Sequence, residues 1–243
     1  MNFAALTKDT TKYNIILSVI LFAVSIVLIW NIPRIVFWEP QMQQQVSYFL
    51  SIAFSLYRIV VGGFIAYFLA LVFSLLIFKY VKHRLKQFLM VILLLLAITP
   101  APIWANFTIS LFRLSAYIPI MTTILSTVFI LIVVNVNSMN NIPQRYFHIY
   151  STYRKSFGGE IRYVILPSIR ESLIFSFRLC MLVSWIGLLM AESFGVNEGL
   201  GQMLLFGRQM FDWSIIISAW LAILACAVLT DIIALKIPKL FLN

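Results

Sequence analysis

Six long apolar stretches, separated by polar or basic segments, organise this chain: residues 15–30, 56–78, 88–112, 114–136, 173–190 and 215–235. A hydrocarbon layer ~30 Å thick takes about 20 mostly apolar residues of helix to cross. Each stretch therefore predicts one membrane-spanning helix, and the third is interrupted by Pro100 and Pro102. After the first comes Asn31-Ile32-Pro33-Arg34, which offers no small-residue cleavage site, so that stretch reads as an uncleaved helix. The expected fold class is all-α, a polytopic membrane protein of six transmembrane helices. Residues 1–46 would form an N-terminal helix with its following loop. Residues 47–243 would form a core domain carrying one long loop, 137–172. No internal repeat or low-complexity tract is present.

Composition agrees with lipid as the solvent. The 243 residues are 62% hydrophobic and 11% charged, against about 45–50% and 25% for a soluble domain. The net charge of +10 would raise nucleic acid as a partner for a soluble chain, but its placement says otherwise. Lys8 and Lys12, the basic residues between Lys79 and Lys86, those between Arg145 and Arg170, and Lys236 and Lys239 all fall on one side of the six stretches. Only Arg34, Arg113 and Arg208 fall on the other, while Arg58 and Arg178 lie within stretches. Lys and Arg gather on cytoplasmic loops, so both termini are expected inside. The excess charge records orientation, and no nucleic-acid partner is expected. Cys180 and Cys226 sit in apolar surroundings, with no disulfide or metal-site spacing.

The long loop carries its own pattern. Pro143 suits the start of a helix, and Gly158-Gly159 suits its end. Between them Tyr146, Tyr150, Tyr153 and Phe157 share one face, flanked by Arg145, His148, Thr152 and Lys155. Such a helix could lie in the headgroup layer or dock a protein, and the pattern alone leaves both open.

Charges inside spans are costly and mark a pairing or a pathway. Arg178 and Asp231 lie at similar depth, ~8 Å from the inner boundary, and are read as a structural intramembrane pair. Arg58 has no obvious acidic partner. It reads either as an attractor for an anionic solute or as an inter-helix hydrogen-bond donor. Glu192 and Glu198 read as loop carboxylates at the outer end of the fifth span. Asn106, with Thr108 and Ser110, places polar groups after the prolines, where they either satisfy freed backbone or line a pathway. His83 and His148 are read as solvated flank residues.

No phosphate-cradling G-x-x-x-x-G-K-[ST], no His-Glu-x-x-His and no paired embedded carboxylates occur. The chain is therefore expected not to be an enzyme, with no metal site. An ion-coupled carrier or a membrane-embedded enzyme stands as the alternative class.

Several segments together resemble a known family. Leu166-Pro167 followed by Arg178 resembles the end of the "EAA loop" of ABC importer permeases. Trp185, Ala191-Glu192-Ser-Phe-Gly195 and Glu198-Gly199-Leu-Gly201 resemble a run in the taurine/aliphatic sulfonate/nitrate subfamily. Ser55-Leu-Tyr-Arg58-Ile-Val-Val-Gly62 and Thr99-Pro-Ala-Pro102 are similar to that subfamily's opening and its proline-rich helix. The resemblance covers roughly residues 50–236. It implies a permease subunit of an ATP-driven importer in the inner (plasma) membrane of a prokaryote. The solute would be small, anionic and delivered by an extracytoplasmic binding protein. A second permease chain would be a partner, and ATP and Mg would be bound by a separate cytoplasmic ATPase, with no cofactor on this chain. The ATPase-coupling residues would be Pro143, Tyr146, Tyr150, Tyr153, Arg154, Phe157, Gly158, Leu166 and Pro167. Arg58, Asn106, Trp185, Glu192 and Glu198 would be pathway or binding-protein contacts. One departure stands out: the family's Glu-Ala-Ala falls on His148-Ile149-Tyr150, and its glycine on Arg154.

Overall fold

The structure is a computed structural model and describes residues 48–112, 116–153 and 157–241. The apolar stretch 15–30, and with it segment 1–46, lies outside the described residues. The described chain is helical throughout: α1 (Tyr48–Tyr80), α2 (His83–Ile98), α3 (Ala101–Phe112), α4 (Ile118–Asn140), α5 (Gln144–Tyr153) and α6 (Phe157–Glu160) come first. A π-helical turn (Ile161–Ile165), α7 (Leu166–Ser168), α8 (Arg170–Gly195), α9 (Leu200–Gln209) and α10 (Trp213–Phe241) follow.

Among the described residues α1, α4, α8 and α10 are each long and apolar enough to cross a membrane. The stretch 88–112, expected as one span, is instead two helices, α2 and α3, meeting at 90°. If that bent pair counts as one span, the described total is five. The cause is local. Proline disfavours helical geometry in the residue before it, and Thr99 is extended at φ −59°, ψ 122°. Thr99 still donates its N–H to the Leu96 carbonyl (3.2 Å), and Ile103 donates to Pro100 O (2.9 Å), so the break leaves these groups satisfied.

Helix α4 is the hub, packing against α1 on one side and α8 on the other. Small residues permit the close approach expected between membrane helices. Gly62 faces the Thr123 methyl, and Gly187 faces Ser126 so tightly that a side chain there would collide. Ala66 and Ala70 of α1 are fully buried beside Ile124, Val128 and Leu131 of α4. Hydroxyls add inter-helix links: Thr108 and Thr122 share a 2.6 Å hydrogen bond, and Ser138 pairs with Ser172. A second apolar cluster joins α1, α8, α9 and α10 through Ile59, Trp185, Leu188, Leu200, Ala222 and Cys226. Cys180 and Cys226 are buried free thiols.

The loop helix ends differently from its sequence signal. Gly158 and Gly159 do not close it; they lie inside α6. Among the described residues Gly199 is the only glycine with positive φ, so neither adopts the left-handed geometry of a helix cap. Ahead of Pro167, which has no N–H to donate, the chain widens into the π turn, and Leu166 donates to Ile161 O, five residues back. Helix α8 then runs on to Gly195, five residues beyond the apolar stretch that announced it.

Candidate functional site

Polar chemistry concentrates at both ends of α8 and along its seam with α10. At the Arg170 end, α5 projects from the bundle with none of its described side chains buried. It is anchored at its flanks and through its own Phe147. Ile142 and Ile165 are buried together with Met139, Ile169 and Leu173, while Phe147 packs on Phe78 with ring centroids 6.0 Å apart. Pro143 fits the helix start, its carbonyl accepting from Tyr146 N–H at 3.1 Å. An open cleft of about 900 Å³ lies beside α5, lined in part by Pro143, Tyr146, Ile149, Tyr150, Tyr163 and Pro167. Tyr146 and Ile149 are exposed, and Arg145 lies 5.1 Å over the Tyr146 ring. Lys79 holds Glu160 at 2.7 Å nearby.

Of the expected coupling residues, the structure thus brings Pro143, Tyr146, Tyr150 and Pro167 around one cleft. Leu166 is half-buried behind it, Gly158 is exposed with open space around it, and Tyr153 and Phe157 are in helical backbone. Arg154 lies outside the described residues. Ile149 and Tyr163 were not singled out from sequence. Periodicity did mark Ile149, which falls three residues after Tyr146 on the same face; Tyr163, in the π turn, lies outside that pattern.

The Gly195 end is the opposite in character. Ser55 and Arg58 sit one turn apart on α1 and face Glu192 of α8. Arg58 Nη1 donates to Glu192 Oε1 at 3.0 Å, and the Ser55 hydroxyl lies 2.8–2.9 Å from both carboxylate oxygens. The Gly201 N–H donates to Glu192 Oε2 at 3.0 Å, and Leu200 N–H donates to Ser55 Oγ at 2.9 Å. Arg58 Nη1 also donates to the Glu198 carbonyl at 2.8 Å. Glu192 is fully buried and Arg58 is 5% exposed. The connecting turn closes over the carboxylate at Gly199, where φ is +118°; a side chain there or at Gly201 would overlap Glu192.

This corrects two sequence expectations. Arg58 does have an acidic partner, and Glu192 is not a solvated loop carboxylate. The apolar run stopped at Met190, which hid the last turn of α8. Asn197 and Glu198 are the exposed polar residues of the turn that follows α8, next to the exposed Phe194.

Between the two ends, Arg178 Nε and Nη2 donate to the two Asp231 oxygens at 2.9 and 2.8 Å, a two-pronged pair across α8 and α10. It is partly exposed, with side chains at 38% and 26%. Trp185 is buried and donates its indole N–H to Thr230 Oγ1 at 3.0 Å. That partner places it inside the helix seam and gives it no open face toward a pathway. Asn106 is exposed on α3, its carbonyl accepting from Ser110. Asn135 is 1% exposed, and neither end of its amide has a hydrogen-bond partner among the described residues. Sequence reading passed over it within an apolar run. No cluster that could hold a metal occurs among the described residues.

The profile of the family described as "Binding-protein-dependent transport system inner membrane component" matches residues 62–239. The chain belongs to this family. It is a membrane-embedded permease subunit of an ABC-type importer and forms part of a translocation pathway. None of the curated proteins compared with it matches. In structure the permease resembles the crystal structure of a bacterial ABC transporter involved in the import of the acidic polysaccharide alginate. The TM-score is 0.64 at 12% identity, over 98% of this chain and 100% of that one. At that identity the likeness shows a shared fold. The family match begins at Gly62, so Ser55 and Arg58 of the buried knot lie just before it.

Proposed function

We propose that this permease works as one of two permease chains that enclose the pathway of an ATP-driven importer in a prokaryotic inner membrane. A separate cytoplasmic ATPase would bind ATP and Mg and dock at α5 and the adjoining cleft. An extracytoplasmic binding protein would deliver the solute at the Gly195 end. The orientation, with both termini inside and six spans including 15–30, is supported by the basic residues around α5, including Lys79, Lys86, Arg145 and Arg162. Segment 1–46 would add one helix ahead of the core 47–243, with loop 137–172 as the coupling loop. The pathway or binding-protein contacts proposed from sequence narrow to Asn106 and Glu198, because Arg58, Glu192 and Trp185 are engaged internally. A small anionic solute, of the organosulfonate or nitrate kind, rests on the subfamily resemblance, since Glu192 neutralises the arginine that would have attracted it.

The observation that carries the docking role is the exposure of α5. A short helix held at its flanks and by Phe147, with Tyr146 and Ile149 turned outward beside an open cleft, offers a partner a ready surface. Copurification from the native host tests it. The unaltered chain should bring down an ABC ATPase. Tyr146→Asp with Ile149→Asp should lose it while the permease stays in the membrane. Retention of the ATPase by that variant would remove α5 from the interface.

A further inference from the structure

The knot around Glu192 holds one exposed polar turn in a fixed place. Val196 is extended at φ −147°, ψ 160°, Asn197 and Glu198 are exposed, and Gly199 and Leu200 are buried again. Arg58 grips the backbone oxygen of Glu198, and Ser55 grips the N–H of Leu200. The backbone is thus pinned on both sides of the turn, and two polar side chains are left to solvent.

Stability alone is a weak reason for such a device. A buried ion pair is often no more stabilising than well-packed apolar residues of the same volume, and its best-attested use is to fix register. A loop ordered in advance also avoids much of the entropy cost of binding. We infer that turn 196–198 is the docking surface for the extracytoplasmic binding protein, and that Arg58 and Glu192 are positioning residues that mount it. This rests on the permease reading, with the Gly195 end outward. The family's dependence on a binding protein supplies the partner. The Glu198 carboxylate and Asn197 amide define its chemistry, a basic, hydrogen-bonding rim. Arg58 and Glu192 therefore touch neither solute nor partner.

Photo-crosslinking in membranes of the native host tests this, with a benzophenone amino acid placed at position 197 and, separately, at 149. Mass spectrometry should find a solute-binding protein on the first and an ABC ATPase on the second. Arg58→Met combined with Glu192→Met should lower the 197 adduct about tenfold, the size expected when an ordered loop is freed, and leave the 149 adduct unchanged. Gly199→Ala keeps both charges but strains the turn and crowds the Glu192 carboxylate, and should show the same selective loss; it decides the matter if the double variant fails to reach the membrane. An ATPase adduct at 149 with only lipid or nothing at 197 overturns the docking surface and leaves the permease reading intact. A 197 adduct unchanged in every variant that reaches the membrane overturns the positioning role. Absence of the ATPase at 149 removes the permease reading, and this inference with it.

Discussion

Glu192, near one end of α8, is fully buried and satisfied by Ser55, Arg58 and the Gly201 N–H. Beyond the other end, α5 has no buried side chain among those described and is fastened through its neighbours and the half-buried Phe147. Both regions are rich in polar residues, yet they differ in what polarity does. In the knot Arg58 and Glu192 answer each other within the chain, so neither charge is open to a partner and only the turn they hold faces outward. In α5 the polar groups are answered locally or by solvent: Ser151 and Thr152 hydroxyls donate to the His148 carbonyl, one helical turn back. Inward satisfaction fixes geometry, and outward exposure leaves a surface to be used.

Removing one partner from the knot should give the largest effect. Glu192→Ala leaves Arg58 buried without its counter-charge, and the Ser55 hydroxyl and Gly201 N–H lose their acceptor. Breaking such a buried pair costs about 3–5 kcal/mol. The expected result is near-complete loss of folded permease in detergent, read by thermal unfolding or size-exclusion profile. Replacing both charges, Arg58→Met with Glu192→Met, should recover much of the loss. If Glu192→Ala melts like the unaltered chain, the knot is not what holds α1 to α8 at this end.

An intermediate case is the Arg178–Asp231 pair, bonded by two prongs but partly open. Polar contacts between membrane helices average well under the cost of a buried orphan charge, about 0.6 kcal/mol and at most ~1.7. Asp231→Asn should therefore lower the unfolding temperature by less than Glu192→Ala does. Exchanging the two residues, Arg178→Asp with Asp231→Arg, should restore most of the difference. An exchange that behaves worse than either single change would mean that the surroundings, and not the pair, set its stability.

Why the spans were readable while the knot was not follows from how far each signal reaches. Hydropathy is sustained along a run, so α1, α4, α8 and α10 announce themselves. Pro100 likewise states locally that the third run is interrupted, though not that α2 and α3 meet at a right angle. Arg58 and Glu192 are 134 residues apart in sequence, and nothing local to either names the other. Their pairing follows only once α1 and α8 are known neighbours and α8 is known to continue past Met190. Gly158-Gly159 failed as a stop signal for a related reason. A glycine pair permits a left-handed cap but does not require one, and here the helix entering Pro167 claims both residues. Position 154, where the family's glycine becomes arginine, lies outside the described residues.

The smallest stability effect belongs to α5, and it completes the contrast. Tyr146 and Ile149 are 42% and 57% exposed, and the core beneath the loop is built from Met139, Ile142, Ile165, Ile169 and Leu173, none of which is on α5. Substitutions at exposed positions away from core contacts usually change stability by within about 0.5 kcal/mol. Tyr146→Asp with Ile149→Asp should therefore melt together with the unaltered chain, even though the same change is expected to release the ATPase. A thermal shift as large as that of Asp231→Asn would show α5 to be packed into the bundle. Loss of the partner in that variant would then report unfolding, with no bearing on a docking surface.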